Sequence, residues 1–198
     1  MTKLAGDGFE IVFVCHANLC RSPLAERLAR QEIEDAFGPS SGVTTASAGT
    51  HAYAGEPMHR GSAQVLSECG VDAGGFASRP LSPSILGGAD LVLAAAREQR
   101  AACVTMVPAS VRRTFTLRQF IRYVAAVPPS EALTSGPAPD RLRALVEQIG
   151  AVRHLVQPVP GHEDDLPDPV RQPIEAFRAC ADEIRHAMSV MVGVIAPA

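Results

Sequence analysis

The chain predicts an α/β fold: a parallel sheet of four strands with helices on both faces. Three observations lead there. Four short runs suited to strands alternate with stretches whose apolar residues recur at helical spacing, the pattern of parallel strands joined by helices. At 198 residues and 46% hydrophobic content the chain fills one core and is short for two, so a single domain over residues 1–198 is expected. Right-handed crossovers between parallel strands then place helices on both sides of the sheet.

The first strand is expected at Glu10 to Val14, where Ile11 to Val14 form the continuous apolar run of a strand covered on both faces. A helix follows from Pro23 to Phe37, with Leu24 and Leu28 on one face and Glu26, Arg27 and Arg30 on the other. Further strands are expected at Val43 to Ala48, Ala89 to Ala94 and Arg113 to Leu117, and helices at Pro57 to Cys69, Arg97 to Val107 and Leu117 to Val127. The stretch "VPPSEALTSGPAPD" then breaks the rhythm with Pro, Ser and Gly before another helical run, "RLRALVEQIGAVRHLV". Residues from about 119 to 160 therefore read as an insertion with its own helix. A last helix is expected at Ile174 to Val194.

A formal net charge of −3 gives no general pull toward nucleic acid, and Arg97, Arg100, Arg112 and Arg113 read as solvated charge. No charged-then-apolar leader opens the chain, and the tail "AMSVMVGVIAPA" is too short to span a bilayer, so a cytoplasmic protein without membrane insertion is expected. Five cysteines without regular spacing predict neither a disulfide framework nor a zinc site. Cys69, Cys103 and Cys180 fall in apolar helical patterns and read as small buried hydrophobes, whereas Cys15 and Cys20 share a loop.

That loop lies between the first strand and the first helix, at the carboxyl end of a strand where open α/β sheets bind ligands. A helix N-terminus there presents backbone N–H groups to an anion. Such a setting, with a cation nearby, lowers a thiol's pKa from about 8.5 by several units, and Cys15 becomes a nucleophilic thiolate. Arg21 offers a planar fork that pairs two oxygens of a phosphate. Asn18 tolerates a left-handed backbone, and Ser22 offers a hydroxyl either to cap the helix or to hydrogen-bond the sulfur.

An apolar strand, then Cys15-x5-Arg21-Ser22-Pro23, then a helix resembles the low-molecular-weight protein tyrosine phosphatases, whose signature is a strand running into Cys-x-Gly-Asn-x-Cys-Arg-Ser-Pro. "SAGTHAYAGEPM", residues 47–58, is similar to the family's second-strand segment, and "DDLPDPVRQPIEAF" to its general-acid loop. The resemblance spans residues 9–118 and 163–192 and implies a doubly wound sheet. It makes Cys15 the nucleophile, Arg21 the phosphate clamp and Asp168 the general acid. His16, Ala17, Asn18, Leu19, Cys20 and Ser22 become the cradle, with Ser47 supporting Asn18 and Tyr53 walling the substrate cleft. It implies no metal and no cofactor. The implied partner is a phosphotyrosine protein, with a bacterial tyrosine kinase or its targets as the candidate and phosphate as product. Asp164 and Asp165 lack a following proline and read as solvated loop charge, and His16 as an outward side chain.

Three positions depart from the family. Ala17 replaces a common Gly and serves only where the backbone avoids positive φ. Phe76 stands where many members have a His that supports the loop asparagine, which leaves Asn18 fewer partners. Val170 replaces the usual Tyr after Asp168-Pro169 and removes an aromatic wall. At Leu19 the family's phosphoarginine phosphatases carry Thr, so an apolar residue there favours an aryl ring over a guanidinium. Two alternatives stand beside a phosphatase. One is a thioredoxin-coupled arsenate reductase, which needs two further neighbouring cysteines where this chain has Cys69 and Cys103; the other is a catalytically silent phosphate-binding module.

Overall fold

A computed structural model describes residues 8–196. Four parallel strands, β1 (Phe9–Cys15), β2 (Val43–Gly49), β3 (Leu91–Ala94) and β4 (Thr114–Thr116), form one sheet in the order β2-β1-β3-β4. The register runs Phe9 beside Val43 through Cys15 beside Gly49, and Ile11 beside Leu91 on the other edge of β1. The chain leaves β1 toward β2 and later crosses to β3 on the opposite side, so the end of β1 is the point where the winding reverses. A crevice for ligands opens at such a point.

Alternation along β1 divides the core. Phe9, Ile11 and Phe13 enter a large cluster on one face, while Val12 and Val14 join Leu86, Val92 and Cys103 on the other. The large cluster is covered by α1 (Arg21–Phe37) and α8 (Ile174–Ile195), which also pack on each other. On that face lie α2 (Arg60–Glu68) and α5 (Leu117–Val124) as well. The smaller cluster is closed by α3 (Pro83–Gly88) and α4 (Arg97–Met106).

Residues 119–160 carry the end of α5, one turn of helix at α6 (Glu131–Thr134), and α7 (Ala138–Val152). Leu133, Leu142, Leu145 and Ile149 share the large cluster with Phe9 and Met191, so this stretch is built into the main core. Helix α7 starts three residues before the expected run, with Pro139 in its first turn, where its missing N–H costs nothing. Helix α3 was not expected, since "PLSPSILGG" looks like a turn; Ser82 Oγ accepts the Ile85 N–H at 3.4 Å and Pro83 opens the helix. Among the described residues no helix is long and apolar enough to cross a membrane.

Candidate active site

The loop from Cys15 to Arg21 leaves the buried end of β1 and feeds the N-terminus of α1. Cys15 is 3% exposed, and its Sγ lies 3.0 Å from Ser22 Oγ. Asn18 takes the left-handed conformation at φ 56°, which an asparagine bears more easily than most residues. Its amide group organises the loop. Nδ2 donates to Ser22 Oγ at 2.9 Å and to Ser47 Oγ at 2.9 Å, while Oδ1 accepts the Arg79 backbone N–H at 2.9 Å. Ser47 Oγ in turn donates to Glu26 Oε2 at 2.6 Å.

These bonds have a fixed direction, because an amide nitrogen can only donate. Ser22 accepts from Asn18, so its own proton turns to the sulfur at 3.0 Å or to Ala48 O at 3.4 Å, and its hydroxyl does not cap α1. Phe76 therefore leaves Asn18 no poorer: the oxygen finds a backbone N–H and both amide protons are used. Ala17 keeps a negative φ, which satisfies the condition its side chain imposes. His16 is exposed and stacks on His51 with ring centroids 4.4 Å apart. Gly49 is a requirement the sequence did not disclose. A Cβ there would sit 2.7 Å from Asn18 N and from His16 O, so the loop can lie against the end of β2 only over a glycine.

Helix α1 has no side-chain cap at Cys20, and none of the backbone N–H groups of residues 16–21 donates to a partner among the described residues. Unsatisfied N–H groups at a helix start make a seat for an anion. Arg21, almost fully buried, closes the seat. Its Nη1 donates to Leu166 O at 3.1 Å and its Nη2 to Asp168 Oδ2 at 2.5 Å, while its buried Nε has no partner. Asp168, 39% exposed, thus comes from the far end of the chain to the rim of the loop, and its Oδ1 accepts the Val170 N–H at 3.1 Å.

The segment before Asp168 corrects the expectation of solvated charge. Asp165 accepts the Arg97 backbone N–H at 2.8 Å and the Arg97 guanidinium at 2.9 Å, and these bonds hold its carboxyl below the usual carboxylate range. Asp164 is buried and lies 2.6 Å from Arg122. The Leu166 N–H reaches Ala95 O at 2.8 Å. Arg97, Arg100 and Arg113 are likewise not free charges: Arg100 Nε donates to Thr114 O at 3.0 Å and Arg113 to Leu86 O at 3.2 Å.

The other positions differ in setting. Leu19 is partly buried against the large cluster, and its carbonyl accepts the His59 N–H at 2.9 Å. Tyr53 is 82% exposed in the turn after β2, and Val170 is exposed beyond Asp168. Cys20 is buried, and desolvation, then the neighbouring Asp168 and Cys15 charges, push its thiol up to about 12. Cys103 and Cys180 are buried and also pushed to about 12, mainly by desolvation. Cys69 departs from expectation: it caps the end of α2 and is exposed.

A family model described as low molecular weight phosphotyrosine protein phosphatase matches residues 10–128. The chain belongs to this family. Within it, the chain is 30% identical over 125 residues to the probable low molecular weight protein-tyrosine-phosphatase EpsP of Ralstonia nicotianae, covering 63% of this chain and 81% of that one. It is 29% identical over 176 residues to a protein-arginine-phosphatase of Geobacillus stearothermophilus, covering 89% and 88%. The fold also matches the crystal structure of the low molecular weight protein tyrosine phosphatase from T. tengcongensis, with a TM-score of 0.68 and 24% identity over 94% of this chain and 99% of that one. The doubly wound sheet expected from the loop signature is the one found.

Proposed function

We propose that the protein hydrolyses phosphotyrosine in proteins through a phosphocysteine intermediate on Cys15. One observation carries the reading: a cysteine ending β1, an uncapped helix start with free N–H groups, and Asp168, which among the described residues is the carboxylate on the loop's arginine, converge on one rim. In this reading the phosphoryl oxygens take the N–H groups of residues 16–21 and the Arg21 guanidinium, whose Nε is unpartnered. The Asp168 carboxylate leaves Arg21 for the phenolic oxygen and takes up a proton from solvent as it loses the guanidinium. The Cys15 thiolate attacks phosphorus, the phosphorus–oxygen bond breaks, and Asp168 gives its proton to the departing phenolate. Asp168 then takes a proton from water, which attacks the phosphocysteine and releases phosphate. The proton of Ser22 steadies the sulfur as it leaves, at 3.0 Å.

Leu19 favours an aryl substrate. A guanidinium beside its apolar side chain loses water without gaining a polar partner. Similarity to an arginine phosphatase along 89% of this chain makes phosphoarginine the substrate to test against. A reduced thiol fits a cytoplasmic setting and a kinase-phosphorylated protein, a bacterial tyrosine kinase or its targets, as partner. The chain would act as one unit over residues 1–198, with about 119–160 as an insertion that shares its core. The test compares wild type and Cys15→Ser on aryl phosphate, phosphotyrosine peptide and phosphoarginine peptide, beside arsenate with a thioredoxin system. Turnover of phosphotyrosine above phosphoarginine, lost in Cys15→Ser, is expected. Equal or faster phosphoarginine turnover refutes the substrate assignment, and arsenate reduction refutes the reaction.

A further inference from the structure

Beside the loop lies a second cleft of about 520 Å³, lined by His59, Arg60, Gln64, Arg171, Gln172 and Phe177 among others. It adjoins the site on two sides. The His59 N–H bonds Leu19 O at 2.9 Å, and Ser62 Oγ bonds Cys20 O at 3.4 Å, so the start of α2 abuts the Cys15 loop. Arg171 follows Asp168 by three residues on the other side.

The charge of this cleft is one-sided. Two arginines line it and no carboxylate does. Elsewhere several arginines are paired to carboxylates, Arg97 to Asp165, Arg118 to Glu183, Arg122 to Asp164, Arg143 to Asp140 and Arg178 to Glu68, and others, such as Arg79, Arg100 and Arg113, donate to backbone carbonyls. Arg60 and Arg171 are exposed and make no ion pair among the described residues. On a chain of net charge −3 the two form an exposed basic pair next to the site.

Backbone geometry supports a role for Arg171. It takes φ 63°, a conformation in which a non-glycine residue is uncommon. The turn that holds it is tied to the acid: the Val170 N–H bonds Asp168 Oδ1 at 3.1 Å and the Gln172 N–H bonds Pro169 O at 2.9 Å. Nothing in the packing of the turn asks for an arginine here, and glycine would fit the backbone better.

We propose that this cleft is a second subsite, which takes a carboxylate side chain one or two residues from the phosphorylated residue and pairs it with Arg60 and Arg171. The proposal rests on the phosphatase reading. An extended peptide advances about 3.4 Å per residue, so a neighbour of the bound phosphoresidue reaches an adjoining cleft without a bend. His59, stacked on Phe177 at 4.9 Å, lines the cleft and through its N–H is tied to the Cys15 loop at Leu19 O.

The experiment measures binding of two phosphotyrosine peptides, one with flanking Glu and one with Gln in its place, to full-length Cys15→Ser protein. Binding is read without turnover, and wild-type hydrolysis of an aryl phosphate separately reports whether the phosphatase reading holds. The partners are Arg60→Ala, Arg171→Gly, which suits the positive φ, the double variant, and Arg112→Ala as a remote exposed arginine. The Glu peptide should bind about 10-fold tighter at low salt, the scale of two exposed charge pairs, and the preference should shrink in about 0.3 M salt. It should fall to below about 2-fold in the double variant and persist in Arg112→Ala. No preference in the Cys15→Ser protein, or one that survives the double substitution, overturns the subsite.

Discussion

Asp165→Asn tests whether the acid loop is held by the ion pair with α4. The Asp165 carboxylate accepts the Arg97 N–H at 2.8 Å and three guanidinium contacts at 2.9, 3.2 and 3.3 Å. Asparagine retains the oxygen for the backbone N–H but loses the charge. A charge-assisted hydrogen bond contributes about 1.5–3 kcal/mol when buried. Here the two side chains are 51% and 32% exposed, so solvent screening brings the expected loss to about 1 kcal/mol. If that loss falls on the position of Asp168, turnover of a phosphotyrosine peptide drops about 5-fold. An activated aryl phosphate, whose phenolate needs little protonation, drops less than about 2-fold. The sign in pH follows from the lowered carboxyl. Because Arg97 holds Asp165 below its ordinary range, the pair stabilises the fold above that range and is lost as pH falls through the lowered value. The melting difference between wild type and variant should therefore be full at pH 7 and shrink in strong acid. Steady-state kinetics on both substrates, with melting curves from pH 7 downward, provide the assay. Equal losses on the two substrates would refute positioning of the acid through Asp165, and a loss larger than that of Asp168→Asn would refute Asp168 as the acid.

Asp168→Asn should slow phosphotyrosine cleavage by about 100-fold or more and an activated aryl phosphate distinctly less, measured as kcat on each; no difference would return Asp168 to the role of a turn residue. Gly49→Ala forces a methyl to 2.7 Å from the backbone of Asn18 and His16, so it should lower stability by about 1–3 kcal/mol and kcat/KM by at least about 10-fold. A variant that melts and turns over like wild type would mean the loop does not depend on that contact. Brief iodoacetamide treatment at pH 8, mapped by mass spectrometry, should label exposed Cys69 and spare Cys20, Cys103 and Cys180, whose thiols stay protonated with values pushed to about 12. Labelling of Cys180 as fast as Cys69 would contradict their burial.

The frame of the molecule was legible because local signals agree with the fold. Apolar runs mark β1 and β3 and a short β-branched run opens β2, all at nearly their true bounds, and the Cys15 to Pro23 spacing marks the loop between strand and helix. Where the chain misleads, the cause is distance or backbone. Asp164 and Asp165 look like solvated charge because the arginines that pair with them stand about 40 and 70 residues earlier in the chain. Asn18 appeared short of a partner at Phe76, yet the partner is the main-chain N–H of Arg79, which residue identity does not show. Glu26 reads as part of the outer face of α1 while its carboxylate accepts from Ser47 beneath the loop. Helices α3 and α6 hide among Pro, Gly and Ser that usually mark turns.

In the proposed mechanism the 2.5 Å contact between Arg21 and Asp168 makes the proposed acid a rival of the substrate: its carboxylate engages one nitrogen of the guanidinium that is to bind the phosphoryl group. A bound anion therefore has to displace an internal rival, and its apparent affinity is reduced by the fraction of molecules in which Arg21 is engaged. The same competition runs in reverse at the end of the cycle. On the proposed reading, Asp168 would give up its proton to solvent and return to Arg21 as inorganic phosphate loosens, while an aryl ester, which draws Asp168 to its own oxygen, would relieve the rivalry that phosphate alone must overcome.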